Sequence, residues 1–402
     1  MLHLDRLETQ LKEKRDDFVN FSDSQKRDLM KYLRVLNEIS AMTCEEIARK
    51  IAEVENVGAI PSAEIDELKA FLFEFGNHWA NHEEAREWAG NVLEDRTTFA
   101  ADGSQYYSEK DTSLPVGAVQ IGWFENPHNA DKRYEKDTRL IVLSPKDLLE
   151  NQEEPLKPES VVSEEMFIGE IKKIGDFISK KRGWQNRNER MPLAFLDRPM
   201  LLPFAPGQSK LEQKFVLELV ELIRHSRDCG VPVVGYVDRG FSRDLINLVN
   251  AFSDNVGKPT LYDSALVGSK NAAGEKVLKS WGDRTPFCYS RRKGLEAFTD
   301  PKTGTPLVGF TFLQVTGDSL PARLDFPSWV YEAGLLNEAI DVVRAECVIG
   351  LGYPYAIETA DATAVFTMRD RQTFLKALQD FAERNNLDFS FSRKNTSKGR
   401  RR

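Results

Sequence analysis

Phe99-Ala-Ala-Asp102-Gly103-Ser104-Gln105-Tyr106 is the stretch that decides how this chain is to be understood. A short apolar run ends in an acid, and the Gly-Ser pair behind it lets the backbone swing away. The same grammar recurs in Pro192-Leu-Ala-Phe-Leu-Asp197-Arg198-Pro199. Two carboxylates at the tips of separate strands can converge on a divalent cation, which is one way to cut phosphodiesters without a nucleophile triad. A strand-end acid suits that chemistry because a rigid sheet fixes its position. Bland alternatives stand beside this: Asp-Gly-Ser is also a turn composition, and Asp197-Arg198-Pro199 can form a local ion pair at a strand end.

Working outward, the chain of 402 residues is long enough for two or three structural units, and 41% hydrophobic residues are enough for real cores. The first residues carry no apolar leader and no apolar run approaches a membrane span, so a soluble, cytoplasmic protein is expected. Cys44, Cys229, Cys288 and Cys347 are widely spaced and read as small hydrophobes rather than disulfide or zinc elements. The five histidines make no zinc spacing with them. A net charge of −8 excludes a uniformly basic surface but not local phosphate-binding patches. Arg284 and Arg291-Arg292-Lys293 surround Phe287 and Tyr289, and the tail from Arg393 to Arg402 holds six basic residues and no acid. That tail is read either as a DNA contact or as a solvated end.

Residues 1–95 read as helical and charged. Leu4, Leu7 and Leu11 recur at helical spacing, as do Ile65, Leu68, Leu72 and Phe75, with Ser62 as N-cap of a helix over 63–75. From Arg96 the period changes. Strands are expected at 98–101, 116–124, 139–143, 193–196, 231–238 and 307–315. Helices are expected at 164–181, 209–228 (opened by a capping box at Ser209-Lys-Leu-Glu212), 242–252, 335–347 and 370–385. Alternating strands and helices predict an α/β layer architecture. There is no Gly-rich phosphate loop, which argues against an ATPase. Asp238-Arg239-Gly-Phe-Ser242-Arg243 follows a strand and opens a helix, so Arg239, Ser242 and Arg243 are candidate phosphate contacts, with a plain N-cap at Ser242 as the alternative.

The Asp102-Gly-Ser pattern, Asp197 and the late Gly352-Tyr-Pro-Tyr355 segment together resemble the NurA family of DNA-repair nucleases. The resemblance covers roughly residues 96–390 in scattered short motifs. It implies an α/β fold with an RNase H-like (PIWI-like) mixed-sheet nuclease core. Residues 1–95 would be an N-terminal helical extension, 96–390 the nuclease domain and 391–402 a basic, disordered tail. It also implies a glutamate on the helix before the second Asp strand; Glu170 matches best, with Glu164 and Glu165 as rivals. Where many relatives have His after the Tyr-Pro segment this chain has Asp361, a harder oxygen ligand. The implied metal set is therefore Asp102, Glu170, Asp197 and Asp361 around Mn²⁺ or Mg²⁺, with Tyr353 near the scissile phosphate or a ligand carboxylate. Ser104 and Arg284, the latter in Gly282-Asp283-Arg284-Thr285, are implied DNA contacts. The family further implies exonuclease and single-strand endonuclease activity in end resection at double-strand breaks. Its members are homodimers docked on a hexameric HerA-type ATPase. A non-catalytic DNA-binding or scaffold subunit of such a complex is the alternative.

Overall fold

The apolar runs flanking Asp102 and those around residue 121 find each other as neighbouring antiparallel strands, and the ribbon they make organises the second half of the molecule. The computed structural model describes residues 2–68, 70–108, 112–131, 133–149, 157–202, 210–253, 261–271, 274–317 and 319–392. The chain runs through α1 (Leu4–Glu13), α2 (Arg15–Ser40), α3 (Cys44–Ile51), β1 (Gly58–Pro61), α4 (His82–Leu93) and β2 (Thr98–Tyr107). Then come β3 (Gly117–Asn126), β4 (Glu135–Leu143), α5 (Pro145–Leu149), α6 (Pro158–Lys181), β5 (Leu193–Leu196) and α7 (Lys210–Cys229). β6 (Val233–Val237), α8 (Asp244–Phe252), α9 (Asp263–Gly268), β7 (Cys288–Arg291), β8 (Val308–Leu313) and β9 (Ala322–Pro327) follow. The chain closes with α10 (Ser328–Glu332), α11 (Leu336–Ile349), α12 (Tyr355–Ala364) and α13 (Met368–Arg384). Among the described residues no helix is long and apolar enough to cross a membrane, and all four cysteines are free.

The chain divides into two compact units. The first comprises residues 1–80, 198–203 and 235–335. Its strands follow the order β1-β7-β8-β9-β6 with antiparallel pairing throughout. Leu29, Tyr32, Leu36 and Ile39 of α2 share one buried cluster with Leu245 and Leu248 of α8 and with Phe310 and Phe312 of β8. The Tyr32 hydroxyl donates to Asn250 Oδ1 at 2.7 Å, which gives the buried phenol a partner. The N-terminal residues are thus tied into a core made largely by residues far along the chain. The expected boundary at residue 95 does not coincide with the division into units.

The second unit comprises residues 81–197, 204–234 and 336–402. β2, β3 and β4 form an antiparallel meander, and β5 returns parallel to the other side of β2 after the long helix α6. Three antiparallel strands followed by a helix and a parallel strand beside the first is the RNase H-like α/β arrangement. Val119 and Ile121 of β3, Leu143 of β4 and Val162 of α6 are buried together.

Three expectations change and two lie outside what is described. Asp102-Gly103-Ser104 is not a turn and Asp102 is not at a strand end: β2 runs on to Tyr107, pairing residue for residue from Thr98↔Asn126 to Tyr107↔Gly117. A pairing partner of equal length overrides the local turn preference of Gly and Ser. The helix expected over 63–75 is a short 3₁₀ turn, Ala63–Glu67, with the Ser62 hydroxyl accepting from Glu64 N–H. It stops there because Phe73 instead exchanges backbone hydrogen bonds with Arg284. Ser242 does not cap α8; the buried Asp263 carboxylate accepts from the N–H groups of Asp244 (2.7 Å) and Ile246 (3.0 Å). The Ser209 capping box and the basic tail from residue 393 lie outside the described residues.

Candidate functional site

In a strand, neighbours point to opposite faces. Asp102 and Gly103 therefore look to different sides of the β2–β3 ribbon. On the Asp102 side lies α12. Gly122, the direct cross-strand partner of Asp102, leaves no room for a side chain: a Cβ there would stand 2.5 Å from Ala364 N and 2.8 Å from Ala364 Cα. The absence of that atom lets the end of α12 lie flush on the strand. Ser104 and Gln120 then fasten it by donating to the Ala364 carbonyl, Gln120 Nε2 at 3.1 Å.

Held this way, α12 sets Asp361 beside Asp102, and the two carboxyl groups share a hydrogen bond. Carboxylates only accept, so that bond requires one proton between them. Burial pushes Asp102 up to about 6, helped by the hydrogen bond and charge of Asp361 and the charge of Asp197, against the pull of the Gly103 N–H. Asp197, immediately after β5, is exposed and accepts a 2.6 Å hydrogen bond from the Tyr353 hydroxyl. A cavity of about 340 Å³ is lined by Asp197, Gly350, Tyr353, Glu358 and Asp361. Gly350 has the Tyr353 carbonyl where its own Cβ would be, which allows the tight loop that brings Tyr353 back over Asp197.

Glu170 belongs to the other side. It projects from α6, is 1% exposed, and its Oε1 lies 2.6 Å from where a Gly103 Cβ would stand. The charges acting on Asp102 are those of Asp361 and Asp197. Among the described residues no group of three or more His, Cys, Asp or Glu is arranged to hold a metal ion. Of the four expected ligands, Asp102 and Asp361 share a hydrogen bond, Asp197 acts on Asp102 through its charge and shares a cavity with Asp361, and Glu170 stands under the strand. Carboxylates are the donor chemistry of a hard divalent cation, and such an ion would offset the burial and the like charges that raise Asp102.

Arg284 is corrected outright. It is fully buried, forms a two-pronged ion pair with Glu64 (2.7 and 2.8 Å) and lies over the Phe73 ring at 4.0 Å. It holds the first unit together and offers nothing to DNA. Arg239 and Arg243 are exposed in that unit, Arg243 stacking on Tyr262. The Ser104 hydroxyl is already engaged with Ala364, so its role is to fasten α12. Gly122, Gln120 and Glu358 were missed by the sequence reading; only Gly122 carried a signal, as an isolated glycine inside a strand.

Residues 96–366 match the NurA domain. No curated protein matches the sequence significantly. Among solved structures, the catalytic domain of human endonuclease V is 11% identical with a TM-score of 0.30, covering 74% of this chain and 96% of that one. A NurA structure with manganese is 10% identical with a TM-score of 0.31, covering 76% and 93%. The C-terminal lobe of a budding yeast Argonaute is 12% identical with a TM-score of 0.26, covering 69% of this chain and half of that one.

Proposed function

Because the chain belongs to the NurA family, we propose that it is a metal-dependent DNA nuclease, hydrolysing phosphodiester bonds as an exonuclease and single-strand endonuclease. What carries this reading is the pairing of Asp102 with Asp361 beside a cavity that Asp361 lines together with Asp197 and Glu358. Asp102, Asp197 and Asp361 would hold Mn²⁺ or Mg²⁺, which supplies charge neutralisation at the phosphate and a more acidic water. The Tyr353 hydroxyl fixes one Asp197 oxygen with a 2.6 Å hydrogen bond. The proton in the hydrogen bond between Asp102 and Asp361 would have to leave for a cation to be held there. Arg239 and Arg243 would meet the DNA backbone. A cytoplasmic homodimer working in end resection with a HerA-type hexameric ATPase completes the proposal, since the chain has no phosphate loop of its own.

The test is cleavage of labelled single-stranded DNA by the full chain with Mn²⁺ and with EDTA, comparing wild type with Asp102→Ala. Cleavage that needs Mn²⁺ and disappears in the variant is expected. DNA retention without cleavage under either condition would instead indicate a scaffold subunit.

A further inference from the structure

Helix α12 carries Asp361, yet its N-terminus has no cap of its own. Pro354 occupies the cap position and offers no side-chain hydrogen bond. Free N–H groups at a helix start need an acceptor. The one at Ala356 finds it in Glu346 Oε2 at 2.9 Å, a side chain from α11. Glu346 is 1% exposed, a costly place for a carboxylate unless it is paired. Its other oxygen faces His128 Nε2 at 3.7 Å. His128 follows β3, and its Nδ1 lies 2.7 Å from the Arg96 carbonyl; that oxygen can only accept, so Nδ1 carries a proton, and the contact of Nε2 with Glu346 is attractive when the ring or the carboxyl holds a second one. Burial raises the Glu346 carboxyl, while His128, the Thr98 hydroxyl and the Ala356 N–H draw it back.

These contacts converge on the two elements that make the carboxylate pair. His128 follows β3, the strand paired with β2 and its Asp102, and Ala356 lies in the first turn of α12, which carries Asp361. Ser104 and Gln120 fasten the far end of the same helix. We propose that Glu346, seated by His128, is a positioning residue that sets Asp361 against Asp102. This deepens the nuclease reading and rests on it. A metal site depends on such supporting groups, whose loss lowers affinity without touching a ligand.

The experiment uses the full chain as wild type, Glu346→Ala, Glu346→Gln and His128→Gln. Mn²⁺ affinity is read by electron paramagnetic resonance, cleavage by steady-state kinetics, and α12 by amide hydrogen exchange. Glu346→Ala is expected to weaken Mn²⁺ binding by about tenfold or more and to lower kcat with KM for DNA unchanged. Glu346→Gln keeps an acceptor for Ala356 and should recover most of that loss, with His128→Gln between them. Faster exchange should be confined to the first turn of α12. Wild-type Mn²⁺ affinity in Glu346→Ala, or in His128→Gln should the alanine variant not fold, would overturn the proposal. If the wild type neither binds Mn²⁺ nor cleaves, the nuclease reading falls by itself; unchanged α12 exchange in Glu346→Gln and His128→Gln would then also remove Glu346 as the helix anchor.

Discussion

Each unit gathers three aspartates, and the two gatherings are built on opposite terms. In the first unit Asp244, Asp263 and Asp325 are fully buried around one guanidinium. Arg323 bonds Asp325 Oδ1 at 2.7 Å and also bonds Asp244, and its plane lies over the Phe310 ring. Arg292 adds a second cation 3.6 Å from Asp244. In the second unit, Asp102 meets Asp361 and Asp197, and both of those neighbours are negative. Burial raises Asp263 and Asp102 alike to about 6. What separates them is the charge acting on each: Arg323 draws Asp263 down, while the charges acting on Asp102 are those of Asp361 and Asp197. A buried acid matched by arginine is part of the fold, whereas acids crowded together beside an open cavity leave a place for something from solution.

That contrast breaks most easily at Arg323. Arg323→Met takes the shared guanidinium away from three buried carboxylates and should cost about 3–5 kcal/mol of unfolding free energy. Urea denaturation would show it as a lower midpoint. The matching change in the other cluster, Asp102→Asn, removes one of the crowded charges and should leave the urea midpoint equal or higher. It should also reduce Mn²⁺-dependent cleavage by about 10³-fold, since several kcal/mol of charge stabilisation go with the ligand. If Asp102→Asn unfolds the chain as Arg323→Met does, the second cluster is structural too and the contrast is lost.

The two clusters also differ in how far the sequence disclosed them. Six strands came through, because apolar runs bounded by turn residues leave few options: Leu193–Leu196 lies where its spacing puts it, as does the α6 face of Phe167, Ile171, Ile174 and Ile178, whereas β1, β7 and β9 were not expected. Asp102, Asp197, Tyr353 and Asp361 were singled out by the family resemblance of their motifs. Their geometry was not legible. The place of Asp102 in mid-strand depends on a ten-residue partner, β3, that overrules the Gly-Ser turn preference. Arg284 looked like a phosphate contact because its counter-ion, Glu64, lies 220 residues away. Asp263 as the remote cap of α8 and Gly122 as the seat of α12 are long-range facts of the same kind. Local pattern gives elements; which charge is neutralised, and by what, is decided by tertiary packing.

A smaller effect sharpens the role of that seat. Gly122→Ala places a methyl against the Ala364 backbone, and backbone cannot swing aside as a side-chain tip would. Overpacking of this sort costs about 1–3 kcal/mol. The more telling readout is Mn²⁺ affinity, which should fall because α12 lifts and takes Asp361 with it. Gly90→Ala is the control, since nothing stands within 4 Å of the added carbon there. Equal Mn²⁺ affinity in the two variants would mean that the close approach of α12 does not set the site.

The smallest expected effect is one of pH, and its sign follows from the direction of the Asp102 shift. The carboxyl moves from its usual 3.8 to about 6 on folding, so between those values the native chain holds a proton that the unfolded chain has released. Its contribution to stability is complete below pH 3.8 and is lost as pH rises through 6. A shift of that size corresponds to about 3 kcal/mol, and partial exposure of Asp102 reduces this to about 2 kcal/mol. Asp263 titrates in the same window, so wild type alone would blend the two clusters. The difference between wild type and Asp102→Asn in urea unfolding at pH 4.5 and 7, without metal, isolates the second cluster. Stability of the wild type should fall more steeply toward pH 7 than that of the variant. Parallel pH dependences would place the whole effect in the arginine-matched cluster, and the crowding of Asp102 by its acidic neighbours would no longer explain anything.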